Sequence, residues 1–133
     1  RQSWQFTVIR KKENIQELAK VVRETLNRPE SYNFYDPDVI ILASNEKDNT
    51  NGLADCACAM ENMFLMAQEL GIGSCWINQL GQTCDDPDVR AFLTKLGVPE
   101  SHKVYGCAAL GYAPADAPVK EKKVKEGTVT IIR

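Results

Sequence analysis

The segment LADCACAMENMFLMAQEL, Leu53 to Leu70, constrains this chain more than any other. Its polar residues Asp55, Cys58, Asn62 and Glu69 form a narrow stripe, with Glu61 and Gln68 beside it, and almost every other position is apolar. A helix on the surface of a globular protein carries a wider polar face than this. The segment therefore predicts a helix that is either central to its domain or shared with a second subunit. Met60, Met63 and Met66 read as core filler, because an unbranched thioether fits irregular gaps.

The flanking patterns give the fold class. Trp4 to Arg10 alternates and is rich in aromatic and β-branched residues, so it predicts a strand. Ile15, Leu18, Val22 and Leu26 share one face of a helix near Asn14 to Leu26. The continuous apolar run Val39 to Ser44, after the loop that ends at Pro37, predicts a strand buried on both faces. Beyond the long helix come a short strand SCWI, a helix from Pro87 to about Leu96, a strand from Lys103 to Tyr112, and a last strand in GTVTIIR. Asp86 is placed to cap the Pro87 helix, with proline at its first position and Gly97 at its end. The order predicts one α+β domain over residues 1–133, a mixed and mainly antiparallel sheet flanked by helices.

Composition narrows the function. A formal net charge of −2 supplies no general attraction to nucleic acid or anionic membrane. No apolar run approaches the length of a membrane span. Five cysteines, an odd number, argue against a disulfide framework and for a reducing cytoplasm. Cys56 and Cys58 diverge by about 200° on a helix, and with His102 the only histidine there are too few ligands for a zinc site. His102 reads as a solvated loop residue, since beyond the adjoining Ser101 little else in the sequence supports catalysis. Asp85, Asp86 and Asp88 sit at a helix start, where carboxylates complement the helix dipole.

The turn ELGIGSCWINQL, Glu69 to Leu80, holds two glycines where a helix-to-strand connection needs one. It is not a dinucleotide fingerprint, because its glycines follow a helix instead of leading into one. Two glycines suit a backbone that must lie bare against a flat ligand. Lys120, Lys122, Lys123 and Lys125 are the one basic concentration; they suit either a solvated tail or a phosphate clamp.

These fragments together resemble the nitroreductase family of flavoproteins. QSWQFTVI is similar to the family's Q-P-W-x-F strand entry, with Ser3 in place of the proline. DCACAMENMFLMAQELGIGSCWI resembles its central helix and following turn, and GVPESHKVYGCAALGY its G-I-P strand ending in G-Y. The resemblance implies an interlocked homodimer with FMN in clefts at the dimer interface. It also implies a ping-pong reaction in which NAD(P)H reduces flavin N5 and a small nitroaromatic, quinone or similar acceptor is then reduced. The backbone at Ile77, Asn78 and Gln79 would border N5, Gln2 would reach the flavin region, and Lys123 and Lys125 lie nearest the family's basic phosphate contacts. No catalytic side chain and no metal are implied. The chain opens inside a strand pattern without methionine, and the family's R-x-S-x-R phosphate-binding run is expected upstream of it. A second possibility is a dimer of this fold without flavin or redox activity, a binding or vestigial module.

Overall fold

The computed structural model describes residues 1–119, 121–123 and 125–132. Alternation in the first strand, β1 (Trp4–Ile9), turns Ile9 inward and leaves Trp4, Phe6 and Val8 exposed on the opposite face. α1 (Lys12–Thr25) follows and buries Ile15, Leu18, Ala19 and Val22 as one stripe. β2 (Val39–Glu46) pairs antiparallel with β1, from Trp4 opposite Asn45 to Ile9 opposite Ile40. Next come α2 (Gly52–Glu69), β3 (Gly73–Ile77), the single turn α3 (Leu80–Thr83), α4 (Pro87–Lys95) and β4 (His102–Gly111).

The sheet runs β1-β2-β4-β3 and every pairing is antiparallel. β2 and β4 lie at its centre, which explains why Val39 to Ser44 reads as a continuous apolar run. Ile40 and Leu42 face one core, while Ile41 and Ala43 face the other. The β2–β4 register steps from Ala43 opposite Gly106 to Ser44 opposite Val104, so Tyr105 is the extra residue of a bulge. α1, α3 and α4 cover one face around Leu18, Leu42, Leu80, Leu93 and Cys107. α2 alone covers the other, around Ala43, Cys56, Met60 and Ala108. Among the described residues no helix is long and apolar enough to cross a membrane.

Three sequence expectations are corrected. GTVTIIR does not add a strand: residues 128–132 have no regular structure, and Val129, Ile131 and Ile132 are exposed. A strand holds only against a neighbour, and this segment pairs with neither sheet edge, β1 nor β3; Arg133 lies outside the described residues. His102 is not a solvated loop residue. It opens β4, is 7% exposed, and its Nδ1 lies 3.1 Å from Ser44 Oγ. Asp86 takes the extended N-cap backbone, with Pro87 beginning the helix, but its carboxylate makes no capping bond. Of the neighbouring acids, Asp85 instead pairs with Lys47 at 2.7 Å and Arg90 at 3.0 Å.

Candidate functional site

The glycine turn is built from the end of α2. Ile72 N–H donates to Ala67 O at 2.8 Å and Gly71 N–H to Gln68 O at 3.2 Å, the paired bonds of a left-handed helix stop. Gly71 supplies the required positive φ of 69°. Gly73 answers a steric constraint instead, since a Cβ there would lie 3.1 Å from the carbonyl of Gly111, its partner across β3 and β4. Both glycines thus have a reason within the fold itself, beside the ligand approach expected of them. Trp76 packs edge-on to Phe64 with centroids 6.4 Å apart, over Gly106, and its indole N–H donates to Asn78 Oδ1 at 3.4 Å.

The segment expected to border a cofactor follows directly. Ile77 is buried in the larger core, Asn78 is exposed and Gln79 half-buried. Gly81 N–H donates to Asn78 O and Thr83 N–H to Gln79 O. Among the described residues, no backbone carbonyl accepts from the N–H of Asn78 or Gln79. These are donors left over at the start of α3, a short run of backbone able to bond an acceptor atom.

Gln2 precedes β1, exposed, beside a half-buried polar cluster. There Ser3 Oγ donates to Asn45 Oδ1 at 2.7 Å, and the amides of Asn45 and Asn49 donate to Asp55 Oδ2 at 3.3 and 3.2 Å. The start of β1 and the end of β3 lie toward the same end of the sheet, on its two outer strands. Three interstrand spacings separate these strands by about 14 Å, so Gln2 and Ile77–Gln79 flank one end of the sheet without touching. Lys123 and Lys125 are exposed in the irregular segment after β4 and are not packed into this region; Lys120 lies outside the described residues.

Sequence reasoning missed the loop that adjoins Gln79. Tyr32 donates its hydroxyl to Gln79 Oε1 at 3.1 Å, and burial pushes the Tyr32 phenol up to about 12, so it stays a donor near neutral pH. Arg28 lies over the Tyr32 ring at 5.4 Å. Immediately beyond, Phe34, Tyr35 and Asp36 all take positive φ, 59°, 67° and 53°. Each such non-glycine residue costs about 1–2 kcal/mol relative to the right-handed conformation. A cleft of about 240 Å³ opens between this loop and Gln79, lined by Arg28, Ser31, Tyr32, Asn33 and Tyr35. The usual sequence signals for left-handed backbone are glycine, asparagine and aspartate, and of FYD only Asp36 carries one.

Comparison with known proteins supplies the ancestry. The sequence model of the nitroreductase family matches residues 1–112. A candidate NADH dehydrogenase/NAD(P)H nitroreductase of Archaeoglobus fulgidus is 29% identical over 115 residues, covering 84% of this chain and 62% of that protein. This chain therefore spans less than two thirds of that relative's length. The crystal structure of a Bacteroides fragilis nitroreductase with bound FMN superposes with a TM-score of 0.93 at 48% identity, over 98% of this chain and 76% of that one. A Desulfitobacterium hafniense nitroreductase with bound FMN shares the fold, with a TM-score of 0.83 at 23% identity over 100% of this chain and 77% of its own. The match over residues 1–112 and the superposition agree, and the chain belongs to the nitroreductase family.

Proposed function

We propose that this chain is the main part of an FMN-dependent oxidoreductase that takes hydride from NAD(P)H and passes electrons to a nitroaromatic, quinone or similar acceptor. The observation that carries this is the 48% identity, over nearly the whole chain, to a nitroreductase whose crystal structure contains FMN. The residues present fit such a group at its ring edge. The free N–H groups of Asn78 and Gln79 offer hydrogen bonds to an acceptor atom there, and a backbone donor needs no particular side chain to favour the more electron-rich state. Gln2 contributes an amide from the opposite edge strand, and Lys123 and Lys125 supply charge for a phosphate. FMN, when bound, provides the two-electron chemistry; the protein orients it and shields it from water. Hence no nucleophile or metal is required.

The functional unit in this proposal is a homodimer. α2 buries Gly52, Cys56, Met60 and Ala67 against the sheet but leaves Leu53, Leu65, Met66 and Leu70 exposed. On the same side of the sheet Trp4, Phe6 and Val8 are also exposed. Exposed apolar side chains of this number suit a protein interface, and a second copy would present the same face across a two-fold axis. The reducing compartment suggested by the free cysteines would be cytoplasmic.

One observation favours a second possibility. Lys123 and Lys125 sit in an irregular exposed segment, so the described residues form no closed phosphate cradle. A dimer of this fold without flavin is the alternative. The test is a visible absorption spectrum before and after incubation with excess FMN and desalting. Retained flavin bands, bleached by NADH or NADPH and restored by a quinone, are the expected result. Protein that stays colourless after loading overturns the redox assignment and leaves the dimeric module.

A further inference from the structure

Three consecutive non-glycine residues in the left-handed region, Phe34, Tyr35 and Asp36, form the most strained backbone in the described structure. Such a run persists only where its surroundings fix it, and here both ends are fixed. The Phe34 ring is fully buried and meets Tyr32 edge-on, with centroids 5.5 Å apart. The Asp36 carboxylate is 2.6 Å from Lys12 Nζ, which also donates to Pro37 O at 3.4 Å. Between these anchors Tyr35 is held outward, 80% exposed. Neither core packing nor a hydrogen bond in the described structure accounts for an aromatic ring at this position, where glycine would relieve the backbone.

The ring borders the cleft formed by Arg28, Ser31, Tyr32, Asn33 and Gln79. A second recess of about 250 Å³, reaching Gly73, Ser74 and Cys75, opens on its other side. The first cleft combines a flat aromatic wall, a guanidinium and two amides. Aromatic faces take planar rings in offset stacking, and a guanidinium takes a carboxylate through paired hydrogen bonds. We infer that Tyr35 and Arg28 bind a small planar aromatic acceptor bearing an anionic substituent, with the ring against Tyr35 and the anion at Arg28. This rests on the proposed function in one respect. Gln79 belongs both to this cleft and to the backbone assigned to the flavin edge, which places such an acceptor next to the electron source. The inference concerns binding alone and adds no chemical step.

The test uses the full chain, with and without added FMN, and equilibrium dialysis against 4-nitrobenzoate and nitrobenzene. Tyr35→Gly suits the backbone at φ 67° while removing the ring, so this variant is expected to fold and to unfold at higher denaturant concentration than the parent. It should nevertheless bind both ligands about tenfold more weakly, whereas Tyr35→Phe should bind them as the parent does. Arg28→Gln should weaken 4-nitrobenzoate by about tenfold and leave nitrobenzene unchanged. Flavin uptake is read separately by absorbance. Uptake of flavin by a parent protein that binds neither compound, or binding that Tyr35→Gly leaves intact, overturns the cleft assignment and spares the proposed function. Ring-dependent binding by a protein that takes up no flavin does the reverse. Failure of both uptake and binding overturns both.

Discussion

The two faces of the sheet differ sharply in how far one chain completes them. The face under α1, α3 and α4 is closed: Leu18, Val22, Phe34, Ile40, Leu42, Leu80, Val89, Leu93 and Val104 are all fully buried. The face under α2 buries a far smaller cluster and leaves Trp4, Phe6, Val8, Leu53, Leu65, Met66 and Leu70 exposed. Apolar burial contributes roughly 25 cal/mol per Å², so the closed face dominates the stability of the single chain. The open face would add stability only if a second copy covered it, as in the proposed homodimer. One face makes the domain, and the other is the one the proposed homodimer would use.

The largest expected effect breaks the closed face. Leu18→Ala should destabilise by about 2–5 kcal/mol, in urea denaturation monitored by circular dichroism. If two chains associate through α2, the loss should appear equally in dilute and concentrated protein, because Leu18 lies on the other side of the sheet. On the α2 side, Gly106→Ala should come next, at about 1–3 kcal/mol. Its Cβ would stand 2.5 Å from Met60 Sδ and 2.7 Å from the Trp76 ring, so the thioether and the indole must both shift. A red-shifted tryptophan emission would accompany the loss. Unchanged emission would mean that Trp76 does not rest on Gly106.

The same contrast governs what could be read from the sequence. α2, its glycine stop and the doubly buried β2 were legible because each rests on local pattern: helical periodicity, a residue tolerant of positive φ, and a continuous apolar run. The segment 128–132 carries strand-forming residues, but a strand also needs a partner edge, which no local pattern reveals. His102 resembled a loop residue because its burial depends on Ser44, Gln5 and Arg90, distant in sequence and brought together by the sheet and α4. For the candidate site, the backbone after the glycine turn was accessible through family resemblance. The cleft beside it was not, since its character comes from left-handed aromatic residues that no composition rule flags. The Tyr32–Gln79 bond likewise joins positions 47 apart in sequence.

The open face can be probed without disturbing the fold. Leu65→Lys replaces an exposed side chain, so the isolated chain should change by no more than about 0.5 kcal/mol. Within an interface, however, the ammonium would be buried without a partner. Self-association measured by sedimentation equilibrium should weaken by at least about tenfold, roughly 1.4 kcal/mol. Association indistinguishable from the parent's would mean that the exposed side of α2 is not where two chains meet.

The smallest effect belongs to His102, a titrating group buried at the rim of the closed face. His102 faces Ser44, whose hydroxyl also reaches Gln5 O, while Arg90 donates to the His102 carbonyl at 2.9 Å. Desolvation, then the nearby Arg90 charge, hold the imidazole below its usual 6.5. The folded protein therefore resists a proton that the unfolded chain accepts. Stability from this group is complete above about pH 6.5 and drains away as pH falls toward the depressed folded value. The slope from one proton cannot exceed about 1.4 kcal/mol per pH unit. Asp85 titrates lower: burial opposes its ionisation, but hydrogen bonds and charge from Lys47 and Arg90 outweigh it and hold its carboxyl below 3.8. With no other histidine in the chain, the interval from pH 6.5 to 5 isolates His102. Denaturation midpoints should fall across that interval in the parent and stay nearly level in His102→Gln. An equal fall in both would place the proton elsewhere and leave the buried Ser44–His102 pair electrically silent.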